Sequence, residues 1–216
     1  MVVQRWIRLA GLFAVLCVVG SNVATVDAGA VISGLTDIGD PHPEPWEIGD
    51  AAFGEDVLMF VDRVHQYNSD TGGGNPLFST LPFNGADYVR TTNDSKSEAE
   101  TTVLYQITFA QNADVYLFQD NRKNGGAPLG WMSAMGFVDS GLGSVGVDES
   151  ADGDIDQTSN ILVASLAAGT YDFMGIDHSG NNYGLAAVGV IPEPSTFVLA
   201  IIGLLGFAIL RRRRGK

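Results

Sequence analysis

Thr101-Thr102-Val103-Leu104-Tyr105-Gln106-Ile107-Thr108-Phe109-Ala110, followed four residues on by Asp114-Val115-Tyr116-Leu117-Phe118-Gln119-Asp120, is the stretch that decides the fold. In the first segment Val103, Tyr105, Ile107 and Phe109 share one face, and Thr102, Gln106 and Thr108 take the other. That two-residue period is the signature of a half-buried strand. The second segment is short and rich in aromatic and β-branched residues, and its closeness predicts an antiparallel hairpin with the first.

Working outward, Val31 to Asp40 reads as a strand ending in a turn, and Pro41 to Pro45 as a stiff loop. Phe53 to Tyr67 reads as a strand buried on both faces, because Val57, Met59 and Val61 alternate with Leu58 and Phe60; a helix is the alternative, since Asp56 to Phe60 contains no breaker. Asn68 to Pro76, with Gly72 to Gly74, is a loop. Tyr88 to Arg90, Phe137-Val138, Ile161 to Leu166, Tyr171 to Ile176 and Tyr183 to Ile191 are further short strands. Ala168-Gly169-Thr170 is a tight turn. Asn121 to Trp131 and Gly141 to Asp156 read as loops. Eight or nine short strands with no useful amphipathic helix predict an all-β fold, an antiparallel β-sandwich of jelly-roll type over residues 31–190.

The ends differ in character. Arg5 and Arg8 precede an apolar core from Leu9 to Val19, and Ala28-Gly29-Ala30 meets the small-x-small rule, so residues 1–30 read as a secretory signal peptide. Val26-Asp27-Ala28 is a second cleavage candidate. Cys17 lies inside the apolar core and follows Leu16, which does not suit a lipoprotein box. Its removal leaves an exported chain without thiols or disulfides. At the other end Pro192-Glu193-Pro194 stiffens the chain. Phe197 to Leu210 is then apolar and uncharged, and Arg211, Arg212, Arg213 and Arg214 form a fixed cationic block. As a helix, the apolar run rises about 21 Å against a hydrocarbon core of roughly 30 Å, so a transmembrane helix over about 196–210 needs its flanks to snorkel. The four arginines set the topology by holding that end in the cytoplasm.

Those three parts in that order resemble the PEP-CTERM sorting signal of bacterial surface proteins, over residues 191–216. The resemblance implies that an exosortase, a membrane-embedded cysteine protease, recognises Pro192, Glu193 and Pro194, removes the tail and passes the body to the cell surface or extracellular matrix. It associates such proteins with extracellular polysaccharide and biofilm. Pro43-Glu44-Pro45 lacks the apolar and basic parts and reads as plain loop. An anchor that is never cut is the alternative. Gly85 to Val89, Asp114 to Arg122 and Leu166 to Tyr171 also resemble secreted β-rich domains that carry this tail; the last is a strand-turn-strand device of carbohydrate-binding sandwiches.

Residues 31–191 hold five basic residues against 23 acidic ones. Such a body repels phosphate backbones, so nucleic acid is not an expected partner. Asp148, Asp152, Asp154 and Asp156, with Glu149 and Gly153, offer hard oxygens for Ca²⁺ on a turning loop, though not in EF-hand order; a solvated acidic loop is the plainer reading. His65 beside Asp62-Arg63 and His178 beside Asp177 are the places where histidine meets a carboxylate in sequence. No nucleophile elbow or zinc-ligand spacing accompanies them. Trp46, Tyr67, Trp131 and Tyr183 lie in or near predicted loops, and Trp131 is a candidate for stacking on sugar rings. The expectation is an exported, non-enzymatic surface protein with a structural, adhesive or carbohydrate-binding role. A secreted polysaccharide hydrolase is the alternative and would need two carboxylates in a groove.

Overall fold

The computed structural model describes residues 30–49, 52–69 and 77–190. The expected signal peptide, apart from Ala30, lies outside them. So do the expected recognition residues Pro192, Glu193 and Pro194, the expected membrane helix, and the cytoplasmic cluster Arg211, Arg212, Arg213 and Arg214. Among the described residues no helix is long and apolar enough to cross a membrane.

Ten strands are present among the described residues: β1 (Ile32–Asp37), β2 (Glu47–Ile48), β3 (Gln66–Asn68), β4 (Asp87–Arg90), β5 (Val103–Phe109), β6 (Ala113–Asp120), β7 (Val138–Asp148), β8 (Gln157–Leu166), β9 (Gly169–Met174) and β10 (Gly184–Gly189). One short helix, α1 (Gly130–Ala134), sits between β6 and β7. Two antiparallel sheets result. The small one runs β1-β5-β9 and the large one β2-β4-β10-β6-β8-β7-β3. The architecture is sandwich-like, as the strand pattern predicts, with an uneven three-to-seven division.

The hairpin expected between β5 and β6 does not form. β5 pairs with β1 and β9, whereas β6 pairs with β10 and β8, so residues 110–112 carry the chain from one sheet to the other. The reason is in the side chains. β5 is apolar on one face only, so it suits an outer layer. In β6 every residue except Asp114 is buried, so it needs cover on both faces.

That cover comes from two cores. Val115 and Leu117 of β6, Leu185 of β10 and Leu162 of β8 meet Ile107, Phe109 and Phe173 of the small sheet. On the opposite face, Tyr116, Phe118, Ile161 and Val147 meet Phe53, Met59, Phe60, Phe78 and Phe83 from the connection between β2 and β4. Phe53 is the hub of this second core. Its ring stacks on Phe118 at 5.1 Å and 9° and also meets Tyr67, Phe78, Phe83 and Tyr88.

Two further expectations are corrected here. Phe53 to Tyr67 is not one strand; only β3 and isolated bridges at Leu58 and Phe60 form. Its backbone groups bond instead across a tight loop, Asp56 N–H to Tyr67 C=O at 2.8 Å and Met59 N–H to His65 C=O at 2.9 Å. A regular strand would turn half of these apolar side chains away from the sheet they cover. Conversely, the glycine-rich stretch from 141 is largely strand. Gly141 and Gly143 take φ of 71° and 87° where the β7–β8 register shifts, so the glycines bend the strand rather than end it.

Strand directions give the sandwich two distinct ends. β1 enters and β10 leaves at the same end, where a Cβ at Gly189 would lie 3.3 Å from Val31 Cγ2. The segments after β6, β7 and β9 gather at the other end.

Replacing Phe53 with alanine is expected to cost roughly 3–5 kcal/mol, as for other fully buried aromatics. Tyr67→Phe should cost nothing or raise Tm, because the buried Tyr67 hydroxyl has no hydrogen-bond partner among the described residues. Thermal unfolding of the two variants checks the pair.

Candidate functional site

The solvent face of the small sheet carries an ordered set of polar side chains. Gln106 Nε2 donates to Asp172 Oδ1 at 2.9 Å, and the Thr108 and Thr170 hydroxyls pair at 2.9 Å. These are the alternate positions of β5 and β9, whose other positions enter the core. Beside the free edge of β9 stands α1. Trp131, Ala134 and Met135 form one wall of a concavity of about 760 Å³, with Gln106, Thr170 and Asp172 as its polar side and Met174 between. A polar floor against an apolar wall can hold a molecule with hydroxyls on its edges and C–H groups on its faces.

Trp131 contributes to this groove differently from the sequence expectation. It is 8% exposed, and its indole N–H donates to Gly175 C=O at 3.2 Å. Phe173 and Tyr183 hold the ring at 6.0 Å and 5.6 Å. A ring face is therefore not presented for stacking; the indole supplies a wall and fixes α1 to the sandwich. The other three candidate aromatics are also core. Trp46 stacks on Tyr105 at 4.6 Å, and Tyr67 and Tyr183 are fully buried. The helix at 130–134 and the polar set on the small sheet escaped the sequence reading. The signal for the second was the Gln106 and Thr108 alternation, which indicates a solvent face but no function.

The end far from the termini holds a dense charged network. Asp120, 1% exposed, accepts from the Arg122 N–H and guanidinium and from the Asn181 N–H at 2.8 Å. Arg122 Nη2 also bonds Glu149 Oε1 at 3.0 Å, and Asn181 Nδ2 bonds the same oxygen at 2.8 Å. Burial pushes the Asp120 carboxyl up, but the hydrogen bonds from Arg122 and Asn181 and the guanidinium charge outweigh it and hold it below its ordinary range. An acid held that way stays ionised and donates no proton near neutral pH.

The two histidines singled out in the sequence do not take the carboxylates beside them. Asp62 accepts from the Asn93 and Asp94 N–H groups at 2.8 and 3.2 Å. His178 Nε2 lies 3.8 Å from Asp120 Oδ2, beyond hydrogen-bond reach. Burial is the main cause that lowers the pKa of both His65 and His178, against partial compensation by Glu149 and Asp120 respectively.

In this arrangement Asp148, Asp152 and Asp156 of the acidic loop accept from backbone N–H groups. Asp148 turns inward, and its Oδ1 accepts from the N–H groups of Ser150, Ala151 and Asp152 while Oδ2 accepts from Gly153 N–H at 2.7 Å. Burial acts upward on its pKa, yet these amides lower it overall. Asp156 Oδ2 takes the Glu149 N–H at 2.8 Å, and Asp152 Oδ1 the Asp154 N–H at 3.0 Å. Backbone dipoles thus neutralise the carboxylates one at a time, and Asp148, Asp152, Asp154 and Asp156 do not converge. Among the described residues no three histidine, cysteine or acidic side chains are placed to hold a metal.

Residues 190–214 match the family description "PEP-CTERM protein-sorting motif". The matched stretch takes in Pro192, Glu193 and Pro194, and all four arginines of the basic block, Arg211, Arg212, Arg213 and Arg214. The chain thus carries this sorting motif. No curated protein matches the chain. Among solved structures, a β-glucuronidase from glycoside hydrolase family 2 is similar, with a TM-score of 0.52 and 16% identity over 73% of this chain. The similarity covers 14% of that enzyme's length and speaks to the fold alone.

Because His65 and His178 are held neutral in the fold, the unfolded chain binds more protons as pH falls. Stability should therefore be full above their ordinary value of 6.5 and decline below it. The lowered Asp120 and Asp148 lose their contribution only as pH falls below 3.8, so the two windows separate. Urea unfolding at pH 7.5 and 5.5 checks this, and His178→Gln should flatten the difference.

Proposed function

We propose that the sandwich is exported cargo, sorted through its C-terminal motif by an exosortase, and that at its destination it binds extracellular polysaccharide without catalysing a reaction. The PEP-CTERM motif at 190–214 supports the first part. The groove between β9 and α1 carries the second: Gln106, Thr170 and Asp172 offer an amide, a hydroxyl and a carboxylate in register, facing the apolar Trp131, Ala134 and Met135. Sugars present that combination of hydroxyl edges and C–H faces. An acidic body favours neutral or cation-bridged glycans over polyanions.

Two observations favour binding over hydrolysis. Asp172 is the one carboxylate lining the groove among the described residues, and cleavage between two acids needs a pair. The close carboxylates at the far end, Asp120 and Glu149, share Arg122, and Asp120 stays ionised. Phe197 to Leu210, with Arg211, Arg212, Arg213 and Arg214 behind it, holds the precursor in the membrane until the tail is released.

Asp172→Ala and Gln106→Ala should each weaken retention on immobilised polysaccharide from the producing cells by about tenfold, with Tm nearly unchanged. Retention equal to that of the parent would remove the groove from consideration. Mass spectrometry of the mature protein should find no peptide from 197–210, and cells without the exosortase should keep that peptide attached.

A further inference from the structure

We propose that the chain is cut between Ala30 and Val31 and that the new α-ammonium of Val31 docks on Asp87, fastening the small sheet to the large one. In that step water adds across the peptide bond: hydroxide goes to the Ala30 carbonyl carbon, and the Val31 nitrogen leaves carrying protons as an ammonium.

Three observations meet at this point. Exposure changes in one residue, since Ala30 is exposed whereas Val31 and Ile32 are 7% and 2% exposed. A peptidase can therefore reach the bond before Val31, and the two residues after that bond are packed against the sandwich. Ala28 and Ala30 are the small residues a signal peptidase requires on the departing side.

The third observation is Asp87. It lies on β4, opposite Ala187 of β10 in the large sheet. Its Oδ2 accepts from the N–H of Val31 at 2.6 Å and of Ile32 at 3.0 Å. Ile32 in turn pairs with Phe109 of the small sheet, and Val31 C=O accepts from Ala110 N–H at 2.9 Å. The contact therefore joins the two layers. Among the described residues no lysine, arginine or histidine pairs with Asp87. The hydrogen bonds that this carboxylate accepts among the described residues come from backbone amides. A terminal ammonium at the same nitrogen brings a full positive charge and a charge-assisted hydrogen bond, about twice as strong as a neutral one. Cleavage after Ala28 would leave Gly29-Ala30 ahead of Val31 and no charge at that nitrogen.

The test uses the full chain exported through its own leader. Intact mass should place the mature N-terminus at Val31. Its α-amine should react with an acylating reagent about tenfold or more slowly in the native protein than in urea. Asp87→Asn should lower Tm by roughly 4–8 °C. Ala30→Leu blocks the cut before Val31, because the leaving side must end in a small residue, and so keeps Val31 as an amide. In that background Asp87→Asn should cost about half as much. A start at any other residue, an amine equally reactive when folded, or equal losses in the two backgrounds would each overturn the proposal. The mass and labelling readouts need no variant, so poor folding of Asp87→Asn does not shelter it. None of these outcomes depends on polysaccharide binding.

Discussion

Burial of the large sheet on both faces is the constraint from which the rest follows. β6 lies at its centre with almost every side chain out of water, and each face needs its own apolar partner. The small sheet supplies one and the irregular 53–83 segment the other. The second partner is not a sheet because aromatic rings on a looping backbone can reach one surface from many directions. Phe53, Phe60, Phe78 and Phe83 bury large areas there. With no thiol in the body, this packing takes the place that disulfides hold in smaller exported domains.

The same layering sorts chemistry to the two ends. Val31 and Gly189 lie together at one end of the sandwich, and the charged network lies at the other. At that far end the excess of acidic residues is absorbed locally. Arg122 is shared by Asp120 and Glu149, and the amides of the 150–153 turn surround Asp148. In the acidic run, whose plainer sequence reading is a solvated loop, Asp148, Asp152 and Asp156 accept from backbone N–H groups of the same loop. On the flank, away from these networks, the polar groups bordering the groove bond one another, Gln106 to Asp172 and Thr170 to Thr108.

Much of the architecture was legible because it depends on local alternation. β1, β4, β8, β9 and β10 fall where the strand pattern places them, since short apolar and β-branched runs between turn signals mark a strand whether one face is covered or both. Strand partnership was less legible. β5 and β6 are close in sequence yet belong to different sheets, because pairing depends on which faces are covered, a property of the assembled layers. Residues 53–67 look like a strand because their apolar density is high. That density serves a covering loop, and sequence periodicity cannot tell a buried strand from a buried loop.

By itself the sequence determined the sorting motif at 190–214, the all-β class and the acidic surface, each carried by contiguous residues or bulk composition. Tertiary structure decided that Trp131 is a wall rather than a platform, that Asp148 caps a turn, that Asp87 meets Val31, and that Gln106 and Asp172 share a groove edge. Those roles depend on residues 44, 5, 56 and 66 positions apart meeting in space, as the Trp131–Gly175, Asp148–Gly153, Val31–Asp87 and Gln106–Asp172 bonds show. The Val31–Asp87 bond exists only once both sheets are stacked, whereas Gln106 and Asp172 meet when β5 pairs with β9, and no local preference of the chain brings either pair together.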